Sequence, residues 1–469
     1  MKKSQIQKEK LFGTDGIRGT PGVYPLTDEM ISKIGNGIAR FITKGLSPQG
    51  IGKKVSPRGT VPRIVIGKDT RLSGHQIEGL LADAITKWGI DVLTVGIITT
   101  PGLSFLTKNL KADMGIMISA SHNKASDNGI KFFNSKGHKL SAKEEERFED
   151  IIFDSLTHQP VKPHPKRKGK IRHIKDAQSK YTKFLISTLG GVNLEGIHIA
   201  LDCAHGAASP FAKKLFADLG AKVFCINDTP QGDNINIGGA IDPSFLKALV
   251  LKTGAQLGIA VDGDGDRGIM VDEKGQVLDG DYTLAIIGKY LIKNNKLPKN
   301  TIVGTVMSNY GLKVAIEEEG GKIITANVGD KYVLEELLKN KLNLGGEQSG
   351  HIIFLDYLST PDGLLTALQM LRVMKATGSS LSDLCRCITK FPQILVNIKV
   401  KEKRPFEQMP LIAKEVKRFN EQLKNSGRIL LRYSGTENLA RVMVEGRSKE
   451  LIENIACSLA QQIKKEIGE

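Results

Sequence analysis

"RIVIGKDTRLSGHQIEGLLADAITKWGIDVLTVG", residues 63–96, sets the fold class. An apolar run leads into a polar turn at Ser73-Gly74. A helical stripe of Ile77, Leu80, Leu81, Ala84 and Ile85 follows, and it stops at Gly89 before a second Val/Ile-rich run. Two short apolar strands joined by a helix predict a β-α-β unit with parallel strands.

The same order recurs twice downstream. Residues 198–227 (HIALDCAHGAASPFAKKLFADLGAKVFCIN) place Gly220 after the helix, and residues 301–327 (TIVGTVMSNYGLKVAIEEEGGKIITAN) place Gly320-Gly321 there. Three related α/β units on mixed, largely parallel sheets are therefore expected. The tail differs: ILVNIKV, a helix from about Pro405 to Leu423, RILLRYSG, ARVMVEG and a last amphipathic segment read as β-α-β-β-α. That pattern predicts a smaller C-terminal α+β domain. The expected domains are residues 1–172, 173–276, 277–390 and 391–469.

At 469 residues the chain exceeds one core, given roughly 100–200 residues per domain. It has no apolar stretch near the roughly 20 residues that span a bilayer, and its start, MKKSQIQKEKLFGT, lacks the apolar region of a secretory signal. No membrane association and a cytoplasmic location are expected. Five cysteines, Cys203, Cys225, Cys385, Cys387 and Cys457, have no paired metal spacing and read as free thiols. The formal charge of +17 favours anionic partners. Its densest run, KPHPKRKGKIRHIK at 162–175, carries prolines and no aromatic residue, so it reads as a basic linker and not a nucleic-acid platform. The sequence does not fix an oligomeric state, and a homodimer stays open.

Five stretches carry candidate chemistry. FGTDGIRG (12–19) combines three glycines with Arg18, a donor for a phosphate. The apolar run from Met114 to Ile118 opens onto Ser119-Ala120-Ser121-His122-Asn123, followed by the turn Asp127-Asn128-Gly129 and by Lys131. Open α/β sheets present ligands where strands end in such loops. In VDGDGDRG, Asp262, Asp264 and Asp266 alternate with glycine ahead of Arg267; three crowded carboxylates call for a cation, and hard oxygen donors suit Mg²⁺ or Ca²⁺. An EF-hand would use these aspartates and Glu273, but Arg267 fills its obligatory glycine position and the flanks GIAV and GIMV are strand-like. GGEQSGH (345–351) brackets Glu347, Gln348, Ser349 and His351 with glycines, and RYSGTENLAR (432–441) sets a Ser-Gly-Thr loop between two arginines.

Together, in this order, the five stretches resemble the α-D-phosphohexomutase superfamily over residues 11–446. FGTDGIRG and Gln348 point to its bacterial glucosamine branch, since phosphomannomutase/phosphoglucomutase relatives usually carry Met at the latter position. The resemblance implies that Ser121 carries a phosphoryl group and that Ser119 is structural. It implies that Asp262, Asp264, Asp266 and a phosphoserine oxygen of Ser121 hold Mg²⁺. Arg267 and Arg18 become active-site arginines, and Lys131 and His351 the residues considered for proton transfer. Glu347 and Ser349 read sugar hydroxyls, while Arg432, Ser434, Gly435, Thr436 and Arg441 clamp the non-reacting phosphate.

The implied activity interconverts glucosamine 6-phosphate and glucosamine 1-phosphate through glucosamine 1,6-bisphosphate, with glucose 1,6-bisphosphate as another activator. Such a reaction supplies amino-sugar nucleotides for the cell envelope. Rival readings are a phosphomannomutase/phosphoglucomutase and a non-catalytic phosphate- or nucleic-acid-binding protein. The chain departs from the family pattern at Lys124 (usually Pro), Tyr433 (usually Pro), Asn438-Leu439, His205 (usually Asn) and Pro361 (usually Gly).

Overall fold

The computed structural model describes residues 11–13, 15–43, 61–157, 167–434 and 437–469. Each expected β-α-β unit is present. In the first, strands Arg63–Lys68 and Asp91–Ile97 pair in parallel around helix Gly74–Thr86. Strand Met114–Ile118 joins the other side of Arg63–Lys68 in parallel, and Asn128–Asn134 returns antiparallel beside it. The sheet has six strands, with Ile17–Gly19 at one edge and Ile171–His173 at the other.

That last strand departs from the linker reading of the basic run. Arg167 pairs with Asp91 at 2.8 Å and the Lys170 amide donates to the same carboxylate. These contacts lay residues 171–173 along the sheet edge, and residues 162–166 of the run lie outside the described residues.

The second unit pairs His198–Asp202 with Lys222–Ile226 in parallel, around helix Ala212–Asp218. The third pairs Thr301–Thr305 with Lys322–Ala326 around helix Tyr310–Glu318. Their sheets hold five and four strands. One apolar cluster runs through all three units, joining Val65 and Leu103 to Tyr181, Leu201, Leu284 and Leu368. Interfaces this apolar hold neighbouring units as firmly as a domain interior.

The C-terminal domain is a three-stranded antiparallel sheet, Gln393–Lys399, Leu439–Gly446 and Gly427–Tyr433 in that spatial order. Helices Pro410–Leu423 and Lys449–Ile467 pack on it, with Phe419, Val442 and Ile455 in its own core. The helix expected from Pro405 begins later. A short turn at Phe406–Gln408 precedes it, and Pro410, which has no amide hydrogen to donate, occupies the first turn. The departure at Tyr433 is stabilised locally: its ring stacks on Phe406 at 4.5 Å.

Among the described residues no helix is long and apolar enough to cross a membrane.

Candidate active site

The acidic turn sits between strands Leu257–Val261 and Gly268–Asp272, which pair antiparallel. This hairpin rules out the helices of an EF-hand. Glu273, its would-be final ligand, is instead engaged by the Ser382 amide and hydroxyl. Gly265 takes φ +71° at the tip, and a Cβ there would meet Thr99 at 2.6 Å, so the turn needs glycine. Ligand atoms of Asp262, Asp264 and Asp266 lie within 4.8 Å of one another, and all three residues are buried.

The serine loop meets this triad from the first sheet. Ser121 is buried, adopts φ +51°, and its Oγ donates to Asp262 Oδ2 at 2.8 Å. A left-handed conformation at a non-glycine residue costs about 1–3 kcal/mol and persists only when neighbours over-determine it. They do so here. The Ser121 amide donates to Ser119 Oγ at 2.9 Å, and Ser119 Oγ donates to Asp69 Oδ2 at 2.6 Å. Asn236 and Arg71 both donate to the Ser121 carbonyl, at 2.8 and 2.9 Å. Arg71 also reaches the carbonyls of Asn123, Lys124 and Asp127 while its Nε pairs with Asp69 at 3.0 Å. Arg18 adds a brace to Ala120 O and Asn123 Oδ1. Ser119 is thus a strut and Ser121 the presented hydroxyl.

Cations surround the carboxylates. Lys131 Nζ lies 2.8 Å from Asp15, 2.9 Å from Asp264 and 3.5 Å from Asp266. Burial opposes its charge, but these three acids raise its pKa well above the usual lysine value. His351 bonds Asp266 through Nε2 at 3.0 Å and Glu347 through Nδ1 at 3.1 Å. Burial lowers its pKa, yet the two carboxylates overcome that and lift it to about 10. Asp262 goes the other way: burial first, then Asp266 and Asp264, push it to about 7. His122 stands 3.4 Å from Ser121 Oγ, and burial with Arg267 and Arg18 nearby lowers it to about 4, a neutral imidazole. Arg267 Nη2 reaches His122 Nδ1 at 3.0 Å.

The triad fits a divalent cation. Asp264 Oδ1 is buried with no hydrogen-bond partner, an orphan that a metal ion would satisfy. Oxygen-only donors in this number match a site that holds Mg²⁺ with spare positions.

Glu347 reaches the cluster from the third sheet, on the loop between strands Leu344–Gly346 and Ile352–Phe354. Its Oε1 accepts from the Gly329 amide at 2.8 Å. Ser349 is exposed and its Oγ lies 3.0 Å from His351 Nδ1.

Arg432 and Arg441 are on the C-terminal sheet and Ser434 directly follows strand Gly427–Tyr433; among the described residues, none makes a hydrogen bond or ion pair to this cluster. Gly435 and Thr436 lie outside the described residues. Arg432 and Arg441 face each other directly in the strand register, an arrangement of like charges that an anion relieves, and Glu437 stands 3.6 Å from Arg441 Nη2. Arg441 Nε is buried without a partner, and Arg432 has a lowered pKa from burial and from Arg441.

Sequence reasoning gathered Ser121, Lys131, the aspartates, Arg267, Glu347, Ser349, His351 and Arg18, and hydrogen bonds and ion pairs join all of them in one cluster. It missed Arg71, Asp69, Asn236 and Asp15. Arg71 had a signal, since KDTRLSG also follows the end of a parallel strand.

A buried serine hydroxyl held on a carboxylate triad, with the serine on the first of three repeated α/β units, is the arrangement that marks the phosphohexomutase class. The sequence matches all four domain descriptions of the phosphoglucomutase/phosphomannomutase family: alpha/beta/alpha domains I, II and III at residues 9–158, 179–275 and 279–391, and the C-terminal domain at 395–462. The chain belongs to that family.

Among its relatives, the phosphoglucosamine mutase of Geobacter metallireducens is 46% identical over 98% of this chain and 99% of its own. That of Chlamydia pneumoniae is 45% identical over 99% of each. The fold is that of a Burkholderia thailandensis phosphoglucomutase/phosphomannomutase family protein (TM-score 0.78, 22% identity, 99% of this chain and 100% of the other). It is also that of Aspergillus fumigatus N-acetylphosphoglucosamine mutase, solved with GlcNAc-6P and magnesium (TM-score 0.63, 16% identity, 97% and 95%).

Proposed function

We propose that the chain is an isomerase that interconverts glucosamine 6-phosphate and glucosamine 1-phosphate. The observation that carries this reading is Ser121 Oγ held on the carboxylate triad, in a chain matched end to end by phosphoglucosamine mutases.

Phosphate-monoester chemistry is so slow uncatalysed that rate factors near ~10²¹ are needed for its slowest cases, so the site must supply alignment and charge. In the first step the P–Oγ bond of phospho-Ser121 breaks and a bond forms to O1 of glucosamine 6-phosphate, while the O1 hydroxyl proton passes to Ser121 Oγ. The product is glucosamine 1,6-bisphosphate, with glucose 1,6-bisphosphate as an equivalent activator. After the intermediate turns over, its 6-phosphoryl group passes to Ser121 Oγ, whose proton goes to O6, and glucosamine 1-phosphate departs.

Asp262, Asp264 and Asp266, with a phosphoserine oxygen, would hold Mg²⁺, which supplies Lewis-acid neutralisation of the transferring group. Lys131 and Arg267 add fixed positive charge beside that group, and His351, hydrogen-bonded to Asp266 and Glu347, is positioned to exchange a proton. Arg18 keeps the serine loop rigid. Glu347 and Ser349 read ring hydroxyls. Arg432, Ser434, Gly435, Thr436 and Arg441 take the phosphate that is not reacting, and a separate domain lets one clamp serve both orientations of the intermediate. The setting that fits is the cytoplasm, where the product feeds amino-sugar nucleotide synthesis.

A coupled assay over glucosamine, N-acetylglucosamine, glucose and mannose phosphates tests the reading. Turnover of glucosamine phosphate above the others supports it. Preference for mannose or glucose phosphate promotes the phosphomannomutase/phosphoglucomutase alternative, and no turnover with any leaves a binding protein.

A further inference from the structure

Lys139 was not among the residues that the sequence singled out, and it lies at the join between the first and third domains. It follows the turn closing strand Asn128–Asn134, where Asn134 and His138 share a backbone hydrogen bond and Phe133 bridges Lys139. Gly137 in that turn takes φ +80°, and a Cβ would strike Ser104 O at 2.6 Å, so the turn is fixed in shape. Lys139 Nζ pairs with Asp15 at 2.6 Å within its own domain and with Asp330 at 2.8 Å across the cleft. Beside it, Glu145 of the first domain faces Lys331 of the third at 3.7 Å. One face presents a cation then an anion, and the other presents the complement.

We propose that Lys139 and Asp330 are positioning residues that seat the sugar-reading loop of the third domain against the catalytic edge of the first. Asp330 opens helix Asp330–Asn340, and the residue before it, Gly329, gives its amide to Glu347 Oε1. From Glu347 the contacts run to His351, Asp266, Lys131 and Asp15, and so back to Lys139. The ring passes through three domains. It crosses between the first and third at the Lys139–Asp330 pair, with Glu145–Lys331 as the flanking tie. An exposed pair of this kind contributes little to stability, but these side chains are only 14% and 16% exposed, sit on rigid elements and belong to a network. Its effect is registration.

Without the ammonium, Asp15 and Asp330 would face one another as like charges, and the Gly329–Glu347 contact would lose its support. Asp15 would still hold Lys131 and Arg18, so the phosphoryl-transfer groups stay in place.

This inference rests on the proposed reaction, and its test separates the two. Lys139→Met and Asp330→Asn should each raise KM for glucosamine 6-phosphate about tenfold while kcat changes less than about threefold. Lys139→Arg should restore KM. The double variant Lys139→Met/Asp330→Asn should do no worse than Lys139→Met alone, because it also removes the repulsion. Hydrogen exchange of the substrate-free protein should show the Gly329 amide losing protection in Lys139→Met and regaining it in Lys139→Arg, with melting temperature checking the fold. Unchanged KM and unchanged Gly329 protection in a folded Lys139→Met protein, or additive effects in the double variant, would overturn the proposal. If the parent protein turns over no glucosamine phosphate, the reaction assignment fails, and the exchange data still decide the latch.

Discussion

Ser121 Oγ lies 2.8 Å from Asp262 Oδ2, a hydrogen bond spanning 141 residues that joins the first domain to the second. The donor belongs to a strained loop and the acceptor to the carboxylate triad. A phosphoryl group on this oxygen would meet the position that a triad-bound cation occupies.

Ser121→Ala should therefore abolish turnover and remove the phosphate adduct seen by intact-mass analysis of the purified protein. Ser119→Ala should keep the adduct on Ser121. It should also lower the melting temperature and part of the activity, because the Asp69 carboxylate and the Ser121 amide lose a buried partner, worth about 1–3 kcal/mol. Peptide mapping that places the phosphate on Ser119 would defeat the assignment.

Asp264→Asn should weaken Mg²⁺ binding at least about tenfold, measured by calorimetric titration and by Mg²⁺-dependent melting. Its Oδ2 accepts from Lys131 and Thr100, while Oδ1 has no partner, so the substitution removes a charge and a free ligand atom. Without Mg²⁺ the variant should be less stable than the parent by no more than about 2 kcal/mol, since carboxylate repulsion falls as the Lys131 pair weakens. Full Mg²⁺ affinity in the variant would contradict the three-aspartate site.

Much of this architecture is legible in the sequence. Periodic apolar residues mark all three β-α-β units because their central strands are buried on both faces and each helix on one. The triad is legible because three acids at alternate positions in a glycine-rich turn repel one another unless a cation joins them. The struts are not. Arg71 reaches the serine loop from 50 residues away, and Asn236 from 115, so only the folded sheet brings them there. Lys139 looks like one of many surface lysines until Asp15 and Asp330 bracket it. The edge strand Ile171–His173 is hidden because it is only three residues long and all three are exposed, with no alternation to betray pairing.

The junction of the third and C-terminal domains carries a titratable group away from the carboxylate triad. Asp281 is buried among the Asn309 amide, Asp279, Lys390 and Glu445, and its Oδ1 lacks a partner. Burial, then Asp279 and Glu445, raise its pKa from 3.8 to about 7. A raised carboxyl pKa favours the protonated form in the fold. Its cost to stability is absent below about pH 4, grows as pH rises toward 7, and is constant above. Asp281→Asn should thus be stabilising at pH 8, by a few kcal/mol at most, and nearly neutral at pH 4. Melting curves at both pH values check this. A variant equally destabilised at pH 4 and pH 8 would show that the ionised carboxylate is not the source of strain.

The paired arginines of the C-terminal sheet give a phosphate test that does not depend on turnover. Arg432 opposes Arg441 in the antiparallel register. Inorganic phosphate at millimolar concentration should raise the melting temperature of the parent protein, and Arg432→Ala or Arg441→Ala should reduce that increment and raise KM for sugar phosphate about tenfold or more. An unchanged phosphate increment in both variants would move the clamp elsewhere.

The loop proposed to read the sugar lies between strands Leu344–Gly346 and Ile352–Phe354. Glu347 is committed on both oxygens, to the Gly329 amide and to His351, so its orientation is fixed before any sugar arrives. The Gln348 carbonyl accepts from the Gly280 amide at 3.0 Å, which ties the loop backbone to the start of helix Gly280–Lys293. A Cβ at Gly280 would lie 1.9 Å from the Glu347 carbonyl, so this approach is close and inflexible. The Gln348 side chain, half-buried, projects from a backbone already held at both neighbours, and it makes no hydrogen bond among the described residues. On the proposed reading it marks the glucosamine branch more than it creates the preference. Glucosamine phosphate should exceed glucose and mannose phosphates by at least about tenfold in kcat/KM, roughly 1.4 kcal/mol in the transition state. Gln348→Met should retain more than half of that preference on a logarithmic scale, because the backbone tie to Gly280 and the Glu347 contacts survive the substitution. Loss of the whole preference in Gln348→Met would make the amide a direct reader of the C2 substituent. Equal or better turnover of mannose 1-phosphate by the parent enzyme would overturn the glucosamine assignment itself.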